Sequence, residues 1–158
     1  MKATTAILAS IVLALLVFVP GQSQTYGTMA GAFGELYEDN AGGSGITITD
    51  ASTYYPWTTS TVGESKNLTL SAATDNMTIV PGGLYMLSFN VSYAGSNSTI
   101  YTWAIHHHDS ALTGAKVQRT IGTGTDIGSA GIMHIVELAA GDTLNMEVLA
   151  NGASKTAT

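Results

Sequence analysis

A run of three histidines followed by an aspartate, His106-His107-His108-Asp109, holds the residue types best suited to binding a metal. In an extended strand His106 and His108 share one face, and two imidazoles at that spacing can bind a transition metal. A metal centre needs a further ligand, but Asp109 points to the opposite face from its neighbour His108. His134 supplies that ligand only if two strands align. We therefore predict no cofactor and interpret the run as an exposed strand end or loop.

The residues before the histidines predict the β-strand that positions them. Tyr101, Trp103 and Ile105 occupy alternate positions, which is the period of a strand with one buried face. Continued into the histidine run, this alternation turns His107 inward and leaves the other two histidines outward.

A second candidate site is the aromatic group Tyr54, Tyr55 and Trp57, which surrounds Pro56 in a polar segment. Aromatic side chains in such loops stack on sugar rings and are enriched in binding hot spots. We interpret them as ligand-binding candidates for a cell-surface or carbohydrate ligand. The alternative is a loop packed over the end of the fold. No Gly-x-Ser-x-Gly elbow or other catalytic constellation occurs, so we predict that the protein is not an enzyme.

The longest strand signal is the run from Gly83 to Tyr93, which alternates with period two. The apolar residues on one of its faces are candidates for the core or for an intermolecular interface: Tyr85, Leu87, Phe89 and Val91. The opposite face is mostly polar. Further strands are predicted at 32–37, 45–49, 67–71, 77–80, 99–107, 116–121, 129–138 and 143–150, separated by turn residues. The pattern indicates an all-β protein.

The first residues have the composition of a secretory signal peptide. Lys2 supplies a positive charge, residues 6–19 form an apolar run that is short for a membrane span, and small residues precede a cleavage point after Ser23. We predict a signal peptide helix at 1–23 and a single domain at 24–158, secreted and free of the membrane after cleavage. An uncleaved membrane anchor is the alternative.

The charge of the mature chain excludes nucleic acid as a partner. Once Lys2 is removed, four basic residues stand against eleven acidic ones, so the surface repels a polyanion. The chain has no cysteine, which excludes a disulfide-stapled scaffold and favours a bacterial, archaeal or viral surface protein.

Two segments resemble motifs of the complement 1q and tumour-necrosis-factor-like jelly rolls. Pro81-Gly82-Gly83-Leu84-Tyr85 and the residues up to Ser92 are similar to the proline-glycine-x-tyrosine strand of that superfamily. Leu138-Ala139-Ala140-Gly141-Asp142 resembles the leucine-x-x-glycine-aspartate turn before a late strand. The resemblance implies an antiparallel jelly-roll β-sandwich, here of about eight to ten strands. It also implies a homotrimer around a threefold axis, acting as a binding or structural head.

The end of the chain departs from this pattern. Asn151-Gly152 predicts a two-residue hairpin and a return strand, yet only residues 153–158 follow, where family members have a longer apolar strand. The last strand is therefore missing or short. Three explanations stay open: a truncated sequence, a short polar edge strand, or a groove filled by a strand from another subunit.

Three functions remain in order of preference. The first is a secreted, non-catalytic, trimeric jelly-roll module that serves as a structural, adhesive or receptor-binding head. The second is a virion or extracellular filament subunit of the same fold. The third is a cupin-like metal enzyme, which is least favoured because Leu112 and Thr113 stand where the cupin pattern has its glutamate.

Overall fold

The computed structural model describes residues 31–38, 45–58, 61–124 and 126–158, so the predicted signal peptide lies outside the described residues. Within these ranges no helix is long and apolar enough to cross a membrane. The described chain forms twelve strands: β1 Phe33–Tyr37, β2 Ile46–Ile48, β3 Tyr55–Pro56, β4 Thr61–Lys66, β5 Leu68–Ser71, β6 Asn76–Ile79, β7 Gly83–Ala94, β8 Ile100–His107, β9 Ser110–Thr120, β10 Ile127–Leu138, β11 Thr143–Ala150 and β12 Lys155–Ala157.

One layer is a six-stranded antiparallel sheet in the order β5-β6-β11-β8-β9, with β3 paired to β11. Strand β11 lies beside β8 along its length, and its other edge meets β6 and then β3. Strand β8 is therefore central, between β11 and β9.

The facing layer is built on β7 and β10, which pair antiparallel from Gly83 opposite Leu138 to Ala94 opposite Ile127. Strand β12 pairs with β2 and reaches the end of β7, where Thr158 and Ala94 exchange backbone hydrogen bonds of 2.9 and 2.7 Å. The strands β1 and β4 form a separate antiparallel pair. The predicted all-β, antiparallel sandwich is confirmed.

Side chains from both layers meet in the core. Tyr93 of β7 lies between two aromatic rings of β8, with its ring centroid 5.3 Å from that of Tyr101 and 4.9 Å from that of Trp103. A second apolar cluster, centred on Ile79, Ile105 and Leu138, fills the other end of the sandwich. The alternation read from the sequence of β7 and β8 thus directs these side chains between the layers.

The end of the chain does not follow the predicted two-residue hairpin. Residues 151–154 separate β11 from β12. The backbone N–H of Asn151 donates a 3.0 Å hydrogen bond to the Ile100 carbonyl, and the Asn151 Oδ1 accepts a 3.0 Å hydrogen bond from the N–H of Ile100. The return strand then crosses to the other layer and pairs with β2 instead of β11. The prediction of a hairpin was wrong because Asn151 binds the start of β8 and turns the chain away from β11.

The strands β3 and β4 were not predicted from the sequence, and β9 is longer than predicted. Strand β4 contains Gly63 and four charged or hydroxyl residues, so it lacks an apolar alternation. Strand β3 contains a proline, which weakens a strand prediction. Strand β9 begins at Ser110 instead of Lys116, and a register shift in its pairing with β8 lies in this stretch.

Candidate functional site

The outward face of the β7–β10 pair carries an exposed group of large apolar side chains. Leu84 and Met86 of β7 are 75% and 66% exposed, and Met133 and Ile135 of β10 are 68% and 61% exposed. Met86 lies directly opposite Ile135 in the antiparallel register. We call these four residues the apolar patch.

The interface candidates chosen from the sequence lie on the opposite face of β7. Tyr85, Leu87, Phe89 and Val91 are half-buried and pack against the two core clusters. The outward face of β7 is polar at Ser88, Asn90 and Ser92, as predicted. At the beginning of the strand, however, this face is apolar, with Leu84 and Met86. The patch was not predicted, because no sequence signal shows that the outward residues of β10 lie beside those of β7.

Beside β7 lies an open cleft of about 2260 Å³, lined by residues of β1, β6 and β7 among others. Among the described residues, no strand pairs with the edge of β7 that faces away from β10, apart from the contacts at residues 94–96. The inward side chains Leu87 and Phe89 line this cleft, which also reaches Gly31 and Thr158. An unpaired strand edge above apolar side chains can accept a further strand.

The aromatic candidates contact the six-stranded sheet. Trp57 packs edge-on against buried Trp103, with ring centroids 5.0 Å apart, and Tyr54 packs against His106 at 4.7 Å. The hydroxyl of Tyr55 lies 2.6 Å from the Thr49 hydroxyl and accepts a 2.9 Å hydrogen bond from the backbone N–H of Asp50. These contacts favour the alternative interpretation, in which the segment packs over the end of the fold.

His106 is buried, with 4% of its surface exposed, and the predicted outward, exposed position was wrong. The Tyr54 ring covers it, and its Nδ1 lies 3.3 Å from Oε2 of Glu147 on β11. Burial lowers the pKa of His106 below its usual value, and the neighbouring Glu147 carboxylate opposes this shift only in part. The side chain is therefore held in its neutral form near pH 7.

His107 and His108 lie beside Asp142, which comes from the turn between β10 and β11. Nε2 of His107 is 2.9 Å from Oδ2 of Asp142, and Nε2 of His108 is 3.2 Å from Oδ1. Strand β8 ends at His107, and His108 has a positive φ of 53°, so the alternation assumed for His106 and His108 stops before the second of them. His108 therefore lies with His107 beside Asp142, whereas His106 contacts Glu147.

Backbone hydrogen bonds fix the position of Asp142. Its Oδ2 accepts a 2.8 Å bond from the N–H of Ala139, and its own carbonyl accepts a 2.8 Å bond from Ile79. Gly141 before it has a φ of +92°, which glycine adopts without strain. The Ala139 hydrogen bond, followed by the nearby His107, lowers the pKa of Asp142 and keeps the carboxylate ionised. The sequence placed Asp142 in a turn but gave no sign that it meets His108, from which it is 34 residues distant.

Comparison with solved structures gives a fold-level match. A structure of Eiger TNF from S. frugiperda superimposes with a TM-score of 0.56, covering 78% of this chain and 82% of that chain at 18% identity. The fold is that of a TNF-like jelly roll. No protein-family model matches the chain, and no curated protein sequence is detectably similar. The jelly-roll fold implied by the resemblance is therefore supported, while the roles of individual residues rest on the geometry above.

Proposed function

We propose that this chain is a secreted, non-catalytic TNF-like jelly-roll module that assembles as a homotrimer. The observation that carries the proposal is the apolar patch, four large side chains that are each more than 60% exposed. Contiguous exposed apolar surface on a soluble domain marks an interaction site. The resemblance to trimeric jelly rolls makes further copies of the same chain the preferred occupant.

Burial of the patch supplies a favourable free energy for association. Fully burying an aliphatic or methionine side chain contributes about 1.5 to 3 kcal/mol, so burial of the four patch residues of each subunit favours association. Glu137, opposite Leu84, is the acidic residue at this end of the β7–β10 face. Its position at the strand end places it at the rim of the proposed interface, where a charge stays solvated.

The trimer serves as a structural, adhesive or receptor-binding head outside the cell. The charged start and apolar run of residues 1–23 support the proposed export. Protein collected from the medium of the producing cells is expected to begin at Gln24, as read by N-terminal sequencing. A secreted protein that begins at Met1 would contradict cleavage.

The trimer is tested by light scattering coupled to size-exclusion chromatography. The wild-type domain at micromolar concentration is expected at about three times the monomer mass. Met86→Lys and Ile135→Lys place an unpaired charge in the patch and are expected to yield folded monomers, because a buried charge without a partner is costly. Val62→Lys in β4 is the matched control, since Val62 is also a partly exposed apolar residue, at 44%, outside the patch.

Two results would contradict this assembly. One is a wild-type protein that stays monomeric, and the other is a Val62→Lys variant that dissociates as readily as Met86→Lys. Circular dichroism of each variant confirms that its strands are retained, so that loss of assembly is not confused with unfolding.

The open cleft favours a second candidate function, that of an extracellular filament or virion subunit. Its occupant would be residues 24–30 of a second copy, since the chain enters the described structure at Gly31, on the wall of the cleft. Seven residues would span about 23 Å if paired as a strand, enough to cover most of the free edge of β7. Each copy would then fill the cleft of the next and extend a chain of subunits.

A further inference from the structure

We infer that His107, His108 and Asp142 form a binding site for a divalent transition-metal ion. Each residue offers one ligand atom, and the three atoms lie within 4.8 Å of one another. This trio is distinct from the His106 and His108 pair considered from the sequence, and it does not depend on the proposed trimer.

The distances between ligand atoms match those around a bound metal. Zinc lies about 2.0 to 2.2 Å from imidazole nitrogen and carboxylate oxygen, so adjacent ligand atoms in a tetrahedral or octahedral site are about 2.8 to 3.6 Å apart. The Asp142 carboxylate is 2.9 Å from Nε2 of His107 and 3.2 Å from Nε2 of His108. The two imidazole nitrogens lie within 4.8 Å of each other, and the exposed His108 ring is free of the core packing that would prevent it from turning toward the ion.

The orientation of His107 provides a separate argument. Its Nε2 is buried and has no hydrogen bond of good geometry, although Oδ2 of Asp142 is only 2.9 Å away. Buried polar atoms without a partner are rare and unfavourable. An ion held between the nitrogen and the carboxylate would satisfy both groups.

Neighbouring groups hold the ligands in place. The N–H of Ala139 binds one carboxylate oxygen of Asp142, and the Thr143 hydroxyl lies 3.2 Å from Nδ1 of His108. Contacts of this kind orient metal-binding imidazoles and carboxylates in known sites.

Two imidazoles and one carboxylate select zinc, copper, nickel or cobalt over magnesium or calcium, which prefer oxygen ligands. Because His108 is exposed, solvent completes the coordination. The ion would link the β8–β9 turn to the β10–β11 turn.

The test uses full-length mature protein made without a polyhistidine tag and treated with a chelator. Calorimetric titration with zinc chloride is expected to show one site per chain, and cobalt chloride is expected to give visible d–d absorption bands that zinc abolishes. His108→Ala is expected to weaken zinc binding by on the order of ten- to a hundredfold, and His107→Ala by at least as much. Magnesium chloride in excess is expected to leave the titration unchanged.

Asp109→Asn and His134→Ala are the matched controls, because each removes a potential ligand type outside the trio. Both are expected to bind zinc as the wild type does. Two results would overturn the site: no saturable zinc binding, or binding that survives both His107→Ala and His108→Ala. His108 is exposed and lies in a turn, so its substitution keeps the fold and leaves the result interpretable.

Discussion

At the scale of single residues, His106 makes the stability of the domain depend on pH. Its burial under Tyr54 lowers its pKa in the folded state, whereas in the unfolded chain the pKa returns to about 6.5. Below pH 6.5 the unfolded chain therefore binds more protons than the folded one, and the free energy of unfolding falls as the pH decreases. The pKa of Asp142 is also lowered in the folded state. Its contribution to the pH dependence of stability appears only when the pH falls toward 3.8, the ordinary aspartate value.

We predict that the urea midpoint decreases between pH 7 and pH 5.5, and that Tyr54→Ala reduces this decrease. Without the Tyr54 ring, water reaches the imidazole and the pKa of His106 rises toward its unfolded value, which NMR titration of the His106 ring proton measures directly. Tyr54→Phe is the matched control, because it keeps the ring and is expected to keep the lowered pKa. An equal pKa in both variants would show that the Tyr54 ring does not set it.

At the scale of strands, β8 and β7 differ in how completely they are covered. Strand β8 lies between β11 and β9, and its Trp103 is fully buried. Among the described residues, strand β7 pairs with β10 alone along most of its length, and its Phe89 lies half-buried at the open cleft. The same aromatic alternation in the sequence therefore corresponds to two different degrees of burial.

We predict that Trp103→Ala lowers the free energy of unfolding by about 3 to 5 kcal/mol, the range for a buried aromatic residue. Phe89→Ala is expected to cost less, about half as much, because its site is already partly solvated and a cavity there opens to the cleft. Urea unfolding of both variants under conditions where the protein is monomeric measures the difference. Equal losses would indicate that the cleft is closed in solution.

At the scale of the whole molecule, the sandwich is closed at one end and open along one side. Strand β12 seals the end of β7 near Ala94, and beyond that point the edge of β7 faces the cleft. If residues 24–30 of a second copy occupy this cleft, a cysteine in that segment and a cysteine on β7 of the first copy come within disulfide distance of each other. The chain has no natural cysteine to interfere.

We predict that a Thr28→Cys protein mixed with Ser88→Cys, Asn90→Cys or Ser92→Cys protein forms a mixed disulfide with at least one of the three, as seen by non-reducing gel electrophoresis. These three positions are exposed on β7, so the substitutions leave the core intact. Lys116→Cys on the opposite layer is the control and is expected to form none above background. If a double variant such as Thr28→Cys/Asn90→Cys instead closes within one chain at high dilution, the segment fills its own cleft and the filament proposal fails.

Many of the strands were predictable because apolar and polar residues alternate along them in the sequence. The period-two runs of β7, β8, β10 and β11 predicted strands close to those observed, and the Gly141-Asp142 turn was recognised from its residues. Local alternation also predicted correctly that Trp103 faces the interior. Alternation identifies the apolar side of a strand, because the direction of each side chain depends only on its position along the strand.

The sites depended on contacts between distant segments, so only the tertiary structure decided them. His106 is buried on the face expected to be polar because Tyr54, 52 positions earlier in the sequence, covers it. His108 leaves the strand alternation at a positive φ and meets a carboxylate 34 residues away. The apolar patch and the open edge of β7 arise because β10 joins β7 on one side, while β12 meets its other side only near Ala94 and no other described strand pairs there. The sequence determined the strands and their inward faces, whereas the pairing of the strands decided which polar residues meet and which apolar ones remain exposed, since pairing is set by packing across the whole domain.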